Sequence, residues 1–288
     1  MFLSALLSVT LALPAGPAAA PDEAPPQPPS TAVLESTMRQ SAVAALRGPL
    51  AENLDAAGRV AELAQRAVRA SVVLGDGSEI GRRLHDAAAN ALAAKDRPEA
   101  GELLLDLVIA SATADLAFEP IMEAPLPEGW PWPVPAGEIR VQRYPEYRLA
   151  RSGMSGRGNG AFFTLFRHIQ SNDIAMTAPV EMTMDEDANQ MVDMGFLYRR
   201  PTQGDAGEDG RVLVENVDAM WVLSIGVRGS TNSKSRVDAA IAELDAWFAR
   251  SGGAWERAGA PRVMGYNGPS VPNSRKFMEI QIPVRGAH

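Results

Sequence analysis

The sequence predicts an α+β protein: an antiparallel sheet with two helices over residues 138–288, preceded by an all-α bundle over 31–118. Three observations carry this. Residues 31–118 are rich in Ala, Leu, Glu and Arg and repeat apolar side chains at steps of three and four. Residues 119–137 are dense in proline, which neither a helix interior nor a central strand accommodates. Beyond residue 138 the pattern strand–helix–strands appears twice, which implies an antiparallel α+β unit with an internal pseudo-two-fold repeat.

At the N-terminus, Phe2 to Leu13 is apolar and is succeeded by small residues from Ala15 to Ala20, so 1–20 reads as a secretory signal and the chain as exported, periplasmic or secreted. The alternative is an uncleaved N-terminal anchor. Residues 21–30 are a Pro-rich tether. A first helix spans 32–47. Leu50, Leu54, Ala57, Ala61, Ala64 and Val68 then define one helical face, with Pro49 in its first turn. Gly75-Asp76-Gly77 stops that helix, and Ser78 caps the next one, which turns Leu84, Ala88, Ala91 and Leu92 inward. Pro98 opens a fourth helix, apolar nearly all round from Leu103 to Ile109. Four helices with short turns make a bundle. The linker 119–137 carries Trp130 and Trp132, which are available to dock on the sheet domain downstream.

Strands are expected at 138–144, 147–154, 174–184, 191–200, 212–217, 219–229, 262–266 and 277–284. Helices are expected at 158–171 and 235–250. The second carries a Ser235/Asp238 capping box and a buried stripe of Val237, Ile241, Leu244 and Phe248. Two helices cannot cover both faces of such a sheet, so a groove or an open face is expected.

Composition excludes several functions. The net charge is −8 and the pI near 5.0, which argues against nucleic-acid binding and against docking on anionic lipid. No segment after the first twenty residues is apolar for long enough to span a membrane. Cysteine is absent, so there is no disulfide, thiolate metal site or Cys nucleophile. No G-x-S-x-G, Walker A or H-E-x-x-H motif occurs, so no enzyme is indicated. Asp185-Glu186-Asp187 reads as an exposed turn.

One set of motifs points to a family. Ile174-Ala-Met-Thr-Ala-Pro-Val180 comes directly after a helix with apolar Phe162, Leu165, Phe166 and Ile169. Gly265-Tyr266-Asn267, Pro269 and Ser274-Arg-Lys-Phe-Met-Glu-Ile280 come later, and Trp130-Pro131-Trp132 precedes them. This set resembles the SOUL, or haem-binding protein, family over roughly 130–285. The resemblance implies a twisted antiparallel β-barrel of about eight strands with two helices, in two similar halves. It also implies binding of haem or another tetrapyrrole in an apolar depression, without established catalysis. The family's proposed contacts carry over to Asn159, Phe162, Phe166, Arg167 and Val271. Two positions often Met in the animal proteins are Phe here, and Val271 replaces a basic loop residue.

The residues support two readings. On the helix from Gly158, Phe162, Leu165, Phe166 and Ile169 form one stripe, either core packing or one wall of a pocket. Arg157 and Arg167 are candidate cations for propionates. His168 lies about 110° from the stripe's centre, so it is either an axial iron ligand or a boundary histidine bonded to its surroundings; packing is favoured. His85 reads as solvated and His288 as terminal. In 174–184, alternation places Met176, Ala178, Met182 and Met184 on one face. Thr177 is expected to tie a turn and Pro179 to protect an edge. The functional alternatives are a non-haem small-molecule or interaction scaffold, with the bundle binding a protein partner, and a tetrapyrrole-modifying enzyme that releases the metal.

Overall fold

The computed structural model describes residues 30–154, 160–185 and 190–287. The signal (1–20) and most of the tether lie outside the described residues, as do Arg157, Asn159, Glu186, Asp187 and His288. Among the described residues, no helix is long and apolar enough to cross a membrane.

Four helices come first: α1 (Ser30–Leu46), α2 (Ala56–Leu74), α3 (Glu79–Ala93) and α4 (Pro98–Leu116). The Asp55 side chain caps α2 by accepting from the Gly58 amide at 2.8 Å, and Ser78 caps α3 through Gly81 at 3.0 Å. Pro49 therefore does not open α2; the helix starts where Asp55 supplies the acceptor. Ala42, Leu46, Leu63, Ala67, Ile80, Leu84, Ala88, Leu105 and Leu116 share one buried cluster. A Cβ on Gly101 would stand 3.1 Å from the Ala91 carbonyl, so glycine there lets α4 approach α3 closely.

The sheet contains β1 (Ile139–Tyr144), β2 (Tyr147–Gly153), β3 (Val180–Met184), β4 (Met191–Leu197), β5 (Gly207–Asp209), β6 (Val212–Val217), β7 (Met220–Arg228), β8 (Trp255–Arg257), β9 (Arg262–Gly265) and β10 (Phe277–Gly286). Helix α5 (Gly160–Ser171) comes after β2, and α6 (Lys234–Arg250) after β7. The strand order is β1-β7-β10-β9-β3-β4-β2-β6-β5, with β8 on β10. Read outward from the β9–β3 pair, both halves place a strand, its neighbour, and then the strand that precedes a helix. All strand pairs are antiparallel.

The expected barrel does not form. Among the described residues, the order ends at β1 and β5 without hydrogen bonds between them. β5 is three residues long and exposed, too short to carry the ladder onward.

Helices α5 and α6 cover one face. On that face Val237, Ala240 and Leu244 pack on Leu223, Ile225, Val263, Ile280 and Ile282. Leu165 and Ile169 pack on Ala150, Phe196, Tyr198, Val212 and Val214. The face expected to be open is instead covered by residues 119–137. These run as a strap, with Trp130 and Ala136 buried against Tyr144, Tyr147, Leu149, Val222, Met264, Tyr266 and Phe277. Prolines suit this role: they are preset for extended backbone and have no N–H to satisfy. Among the amides that remain, Gly137 donates to the Gly226 carbonyl at 2.8 Å and Glu128 to the Arg199 carbonyl at 2.9 Å. A Cβ on Gly226 would lie 2.2 Å from the Val134 carbonyl, so only glycine admits the strap there.

Several local expectations change. Leu92, read as inward, is exposed on α3. Only 180–184 of the expected 174–184 strand is β. Residues 174–179 form a loop in which the Thr177 hydroxyl donates to the Leu197 carbonyl at 2.5 Å. Met176 therefore leaves the face of Met182 and Met184, and Ala178 joins the strap side. Because β3 lies between β9 and β4, Pro179 precedes a central strand rather than guarding an edge. Helix α6 begins one residue earlier than expected. Asp238 pairs with Lys234 at 2.8 Å, and no side-chain cap bond forms.

Candidate functional site

The apolar spacing of α5 buries Leu165 and Ile169 but leaves its aromatic surplus at the rim. Phe162 and Phe166, one turn apart, are half-buried and stacked, with ring centres 6.0 Å apart at 10°. Phe162 also meets Phe196 edge-on at 5.3 Å and Phe163 at 5.8 Å. Phe163 is 50% exposed. Met176, Val180 and Met194, also half-buried, pack against the same cluster. The result is a shelf of phenyl, thioether and aliphatic groups, open on one side. Arg167 is exposed, and its Nε donates to the Phe163 carbonyl at 3.2 Å.

His168 turns the other way. It is 8% exposed; its Nδ1 lies 2.7 Å from Asp209 Oδ2, and its Nε2 lies 2.8 Å from the Tyr198 hydroxyl. A carboxylate only accepts, so Nδ1 donates to Asp209, while Nε2 and the Tyr198 hydroxyl share the second bond. Both ring nitrogens are thus engaged, tying α5 to β5 and to the residue after β4. Burial pushes the Tyr198 phenol up to about 12, which keeps it a donor.

Val271 is buried, in a loop that shares no cluster with the phenylalanines. The strap holds that loop: the Asn267 amide donates to the Ile121 carbonyl at 2.7 Å, and Glu123 accepts from the Gly268 amide at 2.6 Å and the Ser270 hydroxyl at 2.8 Å. The structure therefore brings Phe162, Phe166 and Arg167 together on α5, and Val271 is not part of the cluster that holds the two phenylalanines. Asn159 lies outside the described residues. Among the described residues, no group of three His, Asp or Glu side chains is placed to hold a metal ion.

Sequence reasoning missed a polar network under the strap. Glu181, Met264 and Glu279 face one another across β3, β9 and β10. Glu279 is fully buried and accepts from the Val134 amide and the Ser224 hydroxyl, both at 2.9 Å, and from the Tyr266 hydroxyl. Glu181 accepts from the Tyr147 hydroxyl at 2.8 Å and from Arg262 at 3.1 Å. Arg262 lies over the rings of Tyr144 and Tyr147, between which Trp130 inserts edge-on. Burial raises the Glu279 carboxyl above its ordinary range, against the opposing effect of its hydrogen bonds. Burial, with Glu279 next in order, also raises Tyr266. The signal was present: Glu181 and Glu279 sit in strand sequences whose neighbouring residues are apolar. The strap fills this face, whereas α5 leaves Phe163 exposed beside the half-buried Phe162 and Phe166.

Comparison with known proteins bears on the same region. The family described as SOUL heme-binding protein matches residues 133–283, just over half of the chain. Solved structures that resemble it include the C-terminal domain of EcmrR, 15% identical, covering 52% of this chain and 98% of that one, with a TM-score of 0.41. A hydrolase from Listeria innocua is 12% identical over 53% of this chain and 94% of its own, with a TM-score of 0.41. An integron cassette protein from the mobile metagenome of Vibrio cholerae is 13% identical over 51% and 95%, with a TM-score of 0.29. Likenesses this distant carry nothing about the ligand of this chain. A comparison with proteins of curated function gives no match.

Proposed function

The chain belongs to the SOUL haem-binding protein family, and from that premise we propose that it binds haem or a related tetrapyrrole face-on against the α5 shelf. The observation that carries the proposal is the half-exposed Phe163 beside the half-buried, stacked Phe162 and Phe166. Apolar area of this kind gains about 25 cal/mol per Å² when covered, and a planar macrocycle covers it in one contact. Met176 and Met194 supply adaptable thioether surface around the rings. Arg167 supplies an exposed cation for a propionate.

His168 is not needed in this reading. Its two nitrogens serve Asp209 and Tyr198, so iron ligation through it would break one of two short hydrogen bonds. The shelf groups neither donate nor accept protons, which fits binding rather than turnover. The test is a titration of the purified protein with hemin, following the Soret band. A saturable one-to-one shift is expected; its absence would remove haem as the ligand.

A further inference from the structure

The bundle and the sheet meet along a seam made of charges. Asp115, at the end of α4, accepts from Arg228 Nε at 2.6 Å and from Arg83 at 3.4 Å, while its carbonyl accepts from Arg39 at 2.7 Å. Arg83 also donates to the Gly137 carbonyl at 3.2 Å. The Glu138 carboxylate accepts from the Ser78 hydroxyl at 2.7 Å and the Glu79 amide at 2.8 Å. Among the described residues, no buried hydrophobic cluster spans the two sides.

Within the seam lies a cavity of about 150 Å³. One wall is α6, where Arg236, Ala239, Ala240 and Glu243 fall on one face at helical spacing. The two alanines leave the floor open between a cation and an anion. Arg83, Asp115 and Arg228 also line it. The carboxylate of Asp115 is fully used. Glu243 is not: its Oε2 is buried without a partner, and its nearest cation is Arg83 Nη1, 4.0 Å from Oε1. Arg83 Nε is likewise buried and unpartnered. Burial holds the Glu243 carboxyl above its ordinary range, with Arg83 working against the shift. A polar atom buried without a partner is costly, so Glu243 Oε2 calls for a donor and Arg83 Nε for an acceptor.

We infer that the seam cavity binds a short amino acid as its zwitterion, with the ammonium at Glu243 and the carboxylate at the arginine side formed by Arg83 and Arg236. Such a ligand supplies a partner to both unpartnered atoms, Glu243 Oε2 and Arg83 Nε, at once. The volume exceeds that of a single water several times over and suits a short ligand. The site is separate from the α5 shelf, so its fate does not depend on the haem proposal. Because its walls come from α3, α4, β7 and α6, occupancy would tie the bundle to the sheet.

The test is calorimetric titration of the full chain with glycine and β-alanine, using acetate and methylamine as single-charge controls. At least one zwitterion should bind saturably, tenfold or more tighter than either control. Glu243→Gln, nearly isosteric, should weaken that binding at least tenfold. Ala239→Leu, which fills the floor without touching a charge, should abolish it. Controls that bind as tightly as the zwitterions, or binding unchanged in Ala239→Leu, would overturn the inference. So would no heat from either zwitterion, which would mean a water-filled cavity only.

Discussion

Replacing Phe163 by serine removes the most exposed part of the shelf while leaving its foundations in place. An aromatic side chain buries about 150–250 Å² when fully covered. Phe163 is 50% exposed, so about 100 Å² of its surface remains for a ligand to cover. At about 25 cal/mol per Å² this is a ceiling of about 2.5 kcal/mol, or about seventyfold in affinity. A flat ligand resting on several rings will realise part of that, so the expected loss is about ten- to seventyfold. The fold should hardly notice. Phe163 touches Phe162 edge-on at 5.8 Å, and a surface change of this kind costs less than about 1 kcal/mol. The assay is a pair of Soret titrations, wild type against Phe163→Ser, with urea unfolding of both. A variant that unfolds like wild type and binds hemin within twofold of it would refute the placement of the ligand.

The packing dictates three further outcomes. Trp130→Ala should cost about 3–5 kcal/mol in urea unfolding, because the ring is buried between Tyr144 and Tyr147 at 4.7 and 5.1 Å; a loss below about 1 kcal/mol would mean that the strap does not fasten the sheet. All four tyrosines are held above their ordinary pKa, chiefly by burial, and Tyr198 at about 12. No phenolate absorbance should therefore appear at pH 10.5 while the circular dichroism is native. A pKa raised on folding stabilises below the unfolded value, so stability should begin to fall above about pH 10 and continue to fall as pH rises through about 12. His168→Gln should destabilise by about 1–3 kcal/mol through the stranded Tyr198 hydroxyl and leave the Soret position of bound hemin unchanged; a moved Soret band would restore His168 as a ligand.

Legibility in the sequence depended on range. Ser78 and Pro98 mark helix starts by chemistry confined to one turn, and the structure places both as read. The α5 stripe was visible because 3.6-residue spacing is local. Its division into buried Leu165 and Ile169 and half-open Phe162 and Phe166 was not, since that depends on which strands lie beneath. The partners of His168 stand 30 and 41 residues away, so only the fold could supply them. Proline density correctly denied 119–137 any regular element. It gave no sign that an extended segment would lie over the sheet, because that needs the missing Cβ of Gly226 on a strand far along the chain. The open edges of the sheet were hidden for a related reason: strand lengths decide closure, and β5 is too short to be recognised by alternation.

The location of the ligand can be measured directly by hydrogen–deuterium exchange with and without zinc protoporphyrin, a diamagnetic tetrapyrrole. Binding on the shelf predicts slowed exchange in α5 and in residues 174–184, with the strap 119–137 and the bundle unchanged. Protection confined to the strap and to β1, β7 and β10 would place the ligand on the opposite face of the sheet and contradict the account.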